Sequence, residues 1–170
     1  MKSLRKLQEQ AWHRDGFSLF QKGERYVKEL PMPESGILLT HFLTVADLKR
    51  SARFYADILG GEIVHEGAPT VIQLSNSWLI LNLGGGPTDD KPNVVLSPPQ
   101  NSTAVSSFLN IRVADIQQVY KDWKSRGAEF LTEPKSHKTE FRCYMKDPDG
   151  YIIEVGQSKP EAFAAMKKSA

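Results

Sequence analysis

The chain has 170 residues, 40% of them hydrophobic and 25% charged, with a formal net charge of +2 and one cysteine. This composition supports a globular core and excludes an internal disulfide or a cysteine-based zinc site. No apolar run is long enough to span a bilayer, and the start, MKSLRKLQEQAWHRDG, has no apolar stretch of the secretory kind, so a cytoplasmic location and no membrane partner are expected.

The first element predicted is an N-terminal helical arm over 1–35. Leu4, Leu7, Ala11 and Trp12 recur at helical spacing, Asp15-Gly16 breaks the pattern, and Tyr26, Val27 and Leu30 make a second short one. PMPESG at 31–36 reads as a linker. Seven Lys/Arg against five Asp/Glu in 1–35, and three against one in 158–170, leave 36–157 at −2. That balance argues against a nucleic-acid partner. The arm's Leu4, Leu7, Trp12, Phe17, Phe20 and Tyr26 are expected to cover a sheet edge or a second subunit, so a homodimer is expected.

From residue 36 to 157 the sequence repeats itself. HFLTVADLKRSARFYADILGGEIV (41–64) is echoed by LNIRVADIQQVYKDWKSRGAEFL (109–131). Each copy opens as an alternating strand and reaches an aspartate, Asp47 or Asp115, suited to cap a helix. Each helix stops at glycine, Gly60-Gly61 or Gly127. Three strands follow in each copy, near 62–66, 70–74 and 78–83, then near 128–132, 139–146 and 151–156. The prediction is an α+β fold of two tandem βαβββ modules, 37–83 and 105–156. They are joined by a Gly/Pro/Ser-rich linker at 84–104 and followed by a tail at 158–170. The strands are expected to form one curved mixed sheet around a cavity, helices outside.

The two-residue period of strands assigns the faces. Asp147-Pro148-Asp149-Gly150 suits a type I turn closed by a left-handed glycine. That turn pairs Tyr144 with Glu154 and Met145 with Ile153. A turn at Ser75-Asn76 pairs Gln73 with Trp78. One face is apolar and packs under the helices. The other gathers Thr40, Phe42, Thr44, Gln73, Trp78, Asn82, Phe108, Asn110, Arg112, Glu140, Arg142, Tyr144 and Glu154, with Asn82 expected in the place of Glu154. Aromatic rings mixed with charges point to a ligand cavity. Phe42, Thr44, Gln73, Trp78, Asn82, Asn110, Arg112 and Arg142 are the candidate ligand-binding residues. Glu154, Tyr144 and Glu140 are the candidate acid–base residues. Glu154 is expected to pair with Arg142 or Arg112, and the ligand to be planar or anionic, stacked on Trp78 or Phe42.

The paired modules, with HFLTVADLKRSARFYADILGG and DPDGYIIEVGQ, resemble the vicinal oxygen chelate superfamily of glyoxalases, bleomycin-resistance proteins, fosfomycin-resistance enzymes and extradiol dioxygenases. The resemblance covers about 37–157 and implies a two-module cup, usually completed in a homodimer. Many members hold a divalent metal through first- and last-strand ligands; others hold none and bind a drug. Glu154 matches the family's last-strand glutamate. The position seven residues before Asp47, where the family carries histidine, is Thr40, and its second-module equivalent is Phe108. The fourth position is Asn82. His41 lies one residue past Thr40, on the helix side by parity, and reaches the cavity only through a β-bulge. Two functions follow. One is a small-molecule-binding protein with no cofactor. The other is a divalent-metal-dependent lyase, isomerase or dioxygenase using His41 and Glu154 as ligands.

Overall fold

The computed structural model describes residues 36–162, so the arm expected over 1–35 and the last eight residues of the tail lie outside the described residues. Module one begins with β1 (His41–Val45), whose Leu43 and Val45 turn inward and are buried. Asp47 ends the strand, and its carboxylate accepts the Arg50 N–H at 3.0 Å, capping α1 (Leu48–Arg53). The helix widens into a π-helical turn at Phe54–Ile58 that buries both Phe54 and Tyr55. Then come β2 (Glu62–His65), β3 (Thr70–Leu74) and β4 (Ser77–Leu83). Module two repeats the scheme with β5 (Leu109–Arg112), α2 (Ile116–Ser125), β6 (Glu129–Phe130), β7 (Lys135–Ser136), β8 (Glu140–Lys146) and β9 (Ile152–Ser158). Asp115 caps α2 as Asp47 caps α1.

The strands form two mixed sheets, in the orders β1-β4-β3-β2 and β5-β9-β8-β6, with β7 also on β8. In each, the opening strand runs parallel to the closing strand and the rest is antiparallel. The single sheet expected from the sequence is therefore two, because the outer edge of β1 pairs with no strand of module two. The Tyr151 hydroxyl occupies that edge instead, accepting the Thr44 N–H at 3.2 Å and donating to the Thr44 carbonyl at 3.0 Å. The short β7 was not expected.

Both hairpins have the predicted register: Gln73 opposite Trp78, Tyr144 opposite Glu154, Met145 opposite Ile153. One expectation fails. Asn82 pairs with Thr44, whereas Glu154 pairs with Asn110. Aligned on the shared Val-Ala-Asp, Thr44 matches Arg112, whose partner is Gly156. Asn82 thus corresponds to Gly156, and the counterpart of Glu154 is Ile80, one strand period away.

Both helices pack on the apolar sheet faces in one continuous core. It includes Leu43, Tyr55, Ile72, Leu79 and Leu81 from module one and Ile116, Trp123, Met145, Ile153 and Val155 from module two. Each such side chain stabilises the fold by about 1.5–3 kcal/mol. No helix among the described residues is long and apolar enough to cross a membrane.

The Asp147–Gly150 turn fastens the modules to each other. Gly150, at φ +90°, donates to the Asp147 carbonyl at 3.1 Å; a left-handed residue here favours glycine. Asp147 Oδ1 accepts the N–H groups of Asp149 and Tyr151, at 2.9 and 2.8 Å, and Oδ2 accepts the Tyr55 hydroxyl of module one at 2.8 Å. Asp149 accepts from the Ala46 N–H at 2.8 Å and from the Arg50 guanidinium and Ser51 hydroxyl, both at 2.5 Å. Burial pushes the Asp147 carboxyl up and the Tyr55 phenol well up from their ordinary values.

Candidate functional site

Parity carries one set of candidate residues to the face of the second sheet that looks away from α2. Across the strands lie the row Tyr144–Glu154–Asn110 and the row Lys135–Arg142–Gly156–Arg112. Glu154 is buried, with 6% of its surface exposed. Both of its oxygens are occupied: Oε1 accepts from Asn110 Nδ2 at 2.5 Å, and Oε2 from the Tyr144 hydroxyl at 2.6 Å. Arg112 Nη1 stands 3.8 Å from Oε1. Of the two arginines expected to pair with Glu154, Arg112 makes the ion pair and Arg142 does not. Arg142 turns to Glu140 at 3.2 Å, and Arg112 reaches the other oxygen of Glu140 at 2.7 Å. The uncharged donors win because they lie in the row of Glu154, whereas both arginines start one row further along.

The electrostatics follow from these bonds. The Arg112 hydrogen bond, chiefly, holds the Glu140 carboxyl below its ordinary value. Donation to Glu154 raises the Tyr144 phenol, because losing that proton would set two anions side by side. Phe108 packs edge-on against Tyr144, with ring centroids 6.0 Å apart.

Gly156 and Ser158 were missed from the sequence. A Cβ on Gly156 would sit 2.2 Å from Arg112 Nη1, so the guanidinium lies in the space that a side chain would fill. From there Arg112 Nη2 donates to Ser158 Oγ at 2.8 Å. A glycine inside a strand is the signal for such a close approach.

The remaining candidates stand apart on the first sheet. Thr44 is buried, Phe42 is half-exposed, and Gln73 and Trp78 are partly exposed cross-strand neighbours. The Asn82 side-chain oxygen accepts its neighbour's N–H, that of Leu83. Among the described residues no hydrogen bond or ion pair joins Gln73, Trp78 or Asn82 to the Glu154 network. The sheets approach at a small cavity of about 80 Å³, lined among others by His41, Phe42, Tyr55, Phe108, Tyr151 and Ile152.

His41 keeps a regular register with β4 and shows no bulge. It lines this cavity beside Leu43, on the core side, and burial lowers its pKa. His41 and Glu154 therefore occupy different faces. Thr40, Phe108 and Asn82 supply no strong ligand, and both Glu154 oxygens already hold donors. The described residues contain no group of three His, Cys, Asp or Glu side chains able to hold a metal ion. The donor set does not fit the metal that the resemblance implies.

Residues 38–155 match the Glyoxalase/Bleomycin resistance protein/Dioxygenase superfamily, and the chain belongs to that family. Among its relatives, metallothiol transferase FosB of Staphylococcus epidermidis is 29% identical over 114 residues, covering 66% of this chain and 75% of the relative. A probable lactoylglutathione lyase of Vibrio cholerae is 27% identical over 139 residues, covering 76% and 96%. Two solved structures carry the same fold. A glyoxalase/bleomycin resistance protein/dioxygenase from Alicyclobacillus acidocaldarius has a TM-score of 0.59 at 15% identity, covering 76% of this chain and 97% of that one. TnmS3, an antibiotic binding protein from a Streptomyces species, has a TM-score of 0.54 at 16% identity, covering 75% and 100%.

Proposed function

We propose that this chain is a small-molecule-binding protein of the glyoxalase/bleomycin-resistance type, working without a bound metal. It receives its ligand on the face shared by Asn110, Arg112, Glu140, Arg142, Tyr144 and Glu154. One observation carries the reading: the family's glutamate position, Glu154, spends both oxygens on Tyr144 and Asn110. Each oxygen keeps a lone pair, but among the described residues no group of three metal-ligating side chains includes it, and the bonded carboxylate orders the surface. Phe42, Thr44, Gln73, Trp78 and Asn82 of the first sheet complete the binding surface in this reading. Glu154, Tyr144 and Glu140 are its candidate acid–base groups.

The competing reading is a divalent-metal-dependent lyase, isomerase or dioxygenase. The relatives, a metallothiol transferase and a probable lactoylglutathione lyase, favour it, and it requires His41 and Glu154 to share an ion. Elemental analysis after dialysis without chelator separates the two. We expect well under one divalent metal per chain. One tightly held metal, lost in both Glu154→Ala and His41→Ala, would install the enzyme.

We also propose a cytoplasmic homodimer. Ile37 and Leu39 are exposed at 89% and 82%, and a second copy would remove them from water. Sedimentation of the full chain as a monomer at micromolar concentration would refute this.

A further inference from the structure

The charged row on the second sheet has one feature that internal pairing does not explain. Lys135 and Arg142 are direct cross-strand partners on β7 and β8, so two cations stand opposite each other on one face. Like charges so placed destabilise a strand pair. Arg112 follows in the same row, beyond Gly156. Three cations thus stand in line. The carboxylate bonded into the row is Glu140, divided between Arg112 at 2.7 Å and Arg142 at 3.2 Å. Glu154 lies 3.8 Å from Arg112 and is bonded elsewhere. Among the described residues the Lys135 side chain has no hydrogen-bond or ion-pair partner, and Arg142 spends one nitrogen on Glu140. The side chains of Arg112 and Arg142 remain 41% and 36% exposed.

The neighbouring row supplies an aromatic surface. Tyr144 is two residues from Arg142 on β8, about 7 Å along the strand. Phe108 stands edge-on to Tyr144 with its outer side open. The face therefore runs from an open aromatic ring, past two hydrogen-bonded polar groups, to an excess of guanidinium and ammonium donors.

Resting on the ligand surface proposed above, we infer that the ligand is an aryl-substituted acid. Its ring lies against Phe108 and Tyr144. Its carboxylate lies between Arg142 and Lys135, with Arg112, held flat over Gly156, as the third cation. A planar guanidinium with free donors matches a carboxylate in geometry as well as charge. Binding relieves the repulsion between Lys135 and Arg142.

The test is calorimetric titration of the full chain with naphthaleneacetate and with naphthaleneacetamide, near-isosteric probes differing in charge. We expect the acid to bind at least about tenfold tighter than the amide, a difference of about 1.4 kcal/mol, and the gap to narrow as salt is added. Lys135→Gln alters an exposed, unpaired side chain and leaves folding intact. It should weaken the acid about threefold and leave the amide unmoved. Arg142→Gln, checked for folding by its melting curve, should reduce the preference for the acid to twofold or less. Equal binding of acid and amide, or variants that weaken both alike, would overturn the charge assignment and leave the ligand surface standing. Failure of both probes to bind at millimolar concentration would overturn both.

Discussion

Tyr55→Phe tests what holds the modules together. Tyr55 is 1% exposed and Asp147 5% exposed, and the phenol donates to Asp147 Oδ2 at 2.8 Å. The substitution removes one oxygen and leaves a buried carboxylate oxygen bare, while Oδ1 keeps its two N–H donors. A hydrogen bond to a charged group is worth about 1.5–3 kcal/mol. At about 2–4 °C per kcal/mol for a chain of this size, the melting temperature should fall by roughly 3–12 °C at neutral pH. The loss has a pH signature. Burial raises the Asp147 carboxyl above its unfolded value. The folded state therefore holds its proton at a pH where the unfolded state has released it, and this group's contribution to stability falls as pH rises through the folded value. Deleting the phenol, which favours the anion, raises that value further. The gap between variant and wild type should be widest at neutral pH and shrink as the carboxyl protonates on the acid side. Urea unfolding at both pH values measures it. A neutral-pH loss under about 0.5 kcal/mol, or one that grows on acidification, would refute the clasp.

Glu154→Gln should cost about 1–3 kcal/mol in urea unfolding, because its amide would meet either the Asn110 amide or the Tyr144 hydroxyl with a donor where the carboxylate offers an acceptor. Gly156→Ala meets no backbone strain, since its φ is not positive, but its Cβ would evict the Arg112 guanidinium. We expect a stability change within about 1 kcal/mol, as for other exposed ion pairs, with a measurable loss of affinity for the acidic probe. Cys143 is buried and its thiol is pushed up to about 11 by burial. Alkylation by iodoacetamide at mildly alkaline pH should be negligible in the native protein and complete in urea; rapid native labelling would place the thiol outside the core.

Local chemistry made most of the fold legible. Asp47 and Asp115 announced helix starts, Gly60 and Gly127 helix ends, and the Asp147–Gly150 turn fixed a hairpin register that placed Glu154 opposite Tyr144. Long-range geometry was not legible. Whether β1 pairs with module two or is closed by a tyrosine hydroxyl depends on residues 107 positions apart, and strand parity carries no information about them. The site followed the same division. Parity put Glu154, Arg112, Arg142 and Tyr144 on one face, and of the two arginines expected beside Glu154 it is Arg112 that stands 3.8 Å away, while Tyr144 and Asn110 make the direct hydrogen bonds. Row position decides which donor arrives, and both arginines start in the next row. The Asn82 comparison failed because the repeat preserves the start of each module better than its final strand.

The clasp runs in one direction only. The turn of module two grips module one through two carboxylates and a phenol, whereas the matching turn, Ser75-Asn76, carries no acid with which to return the grip. Two modules of one plan thus act as a lock and its keeper. The bonds across the seam add to the continuous apolar core in holding the two modules together. The two halves are thereby defined as a complementary pair, with the Asp147–Tyr151 stretch as the piece that recognises the other.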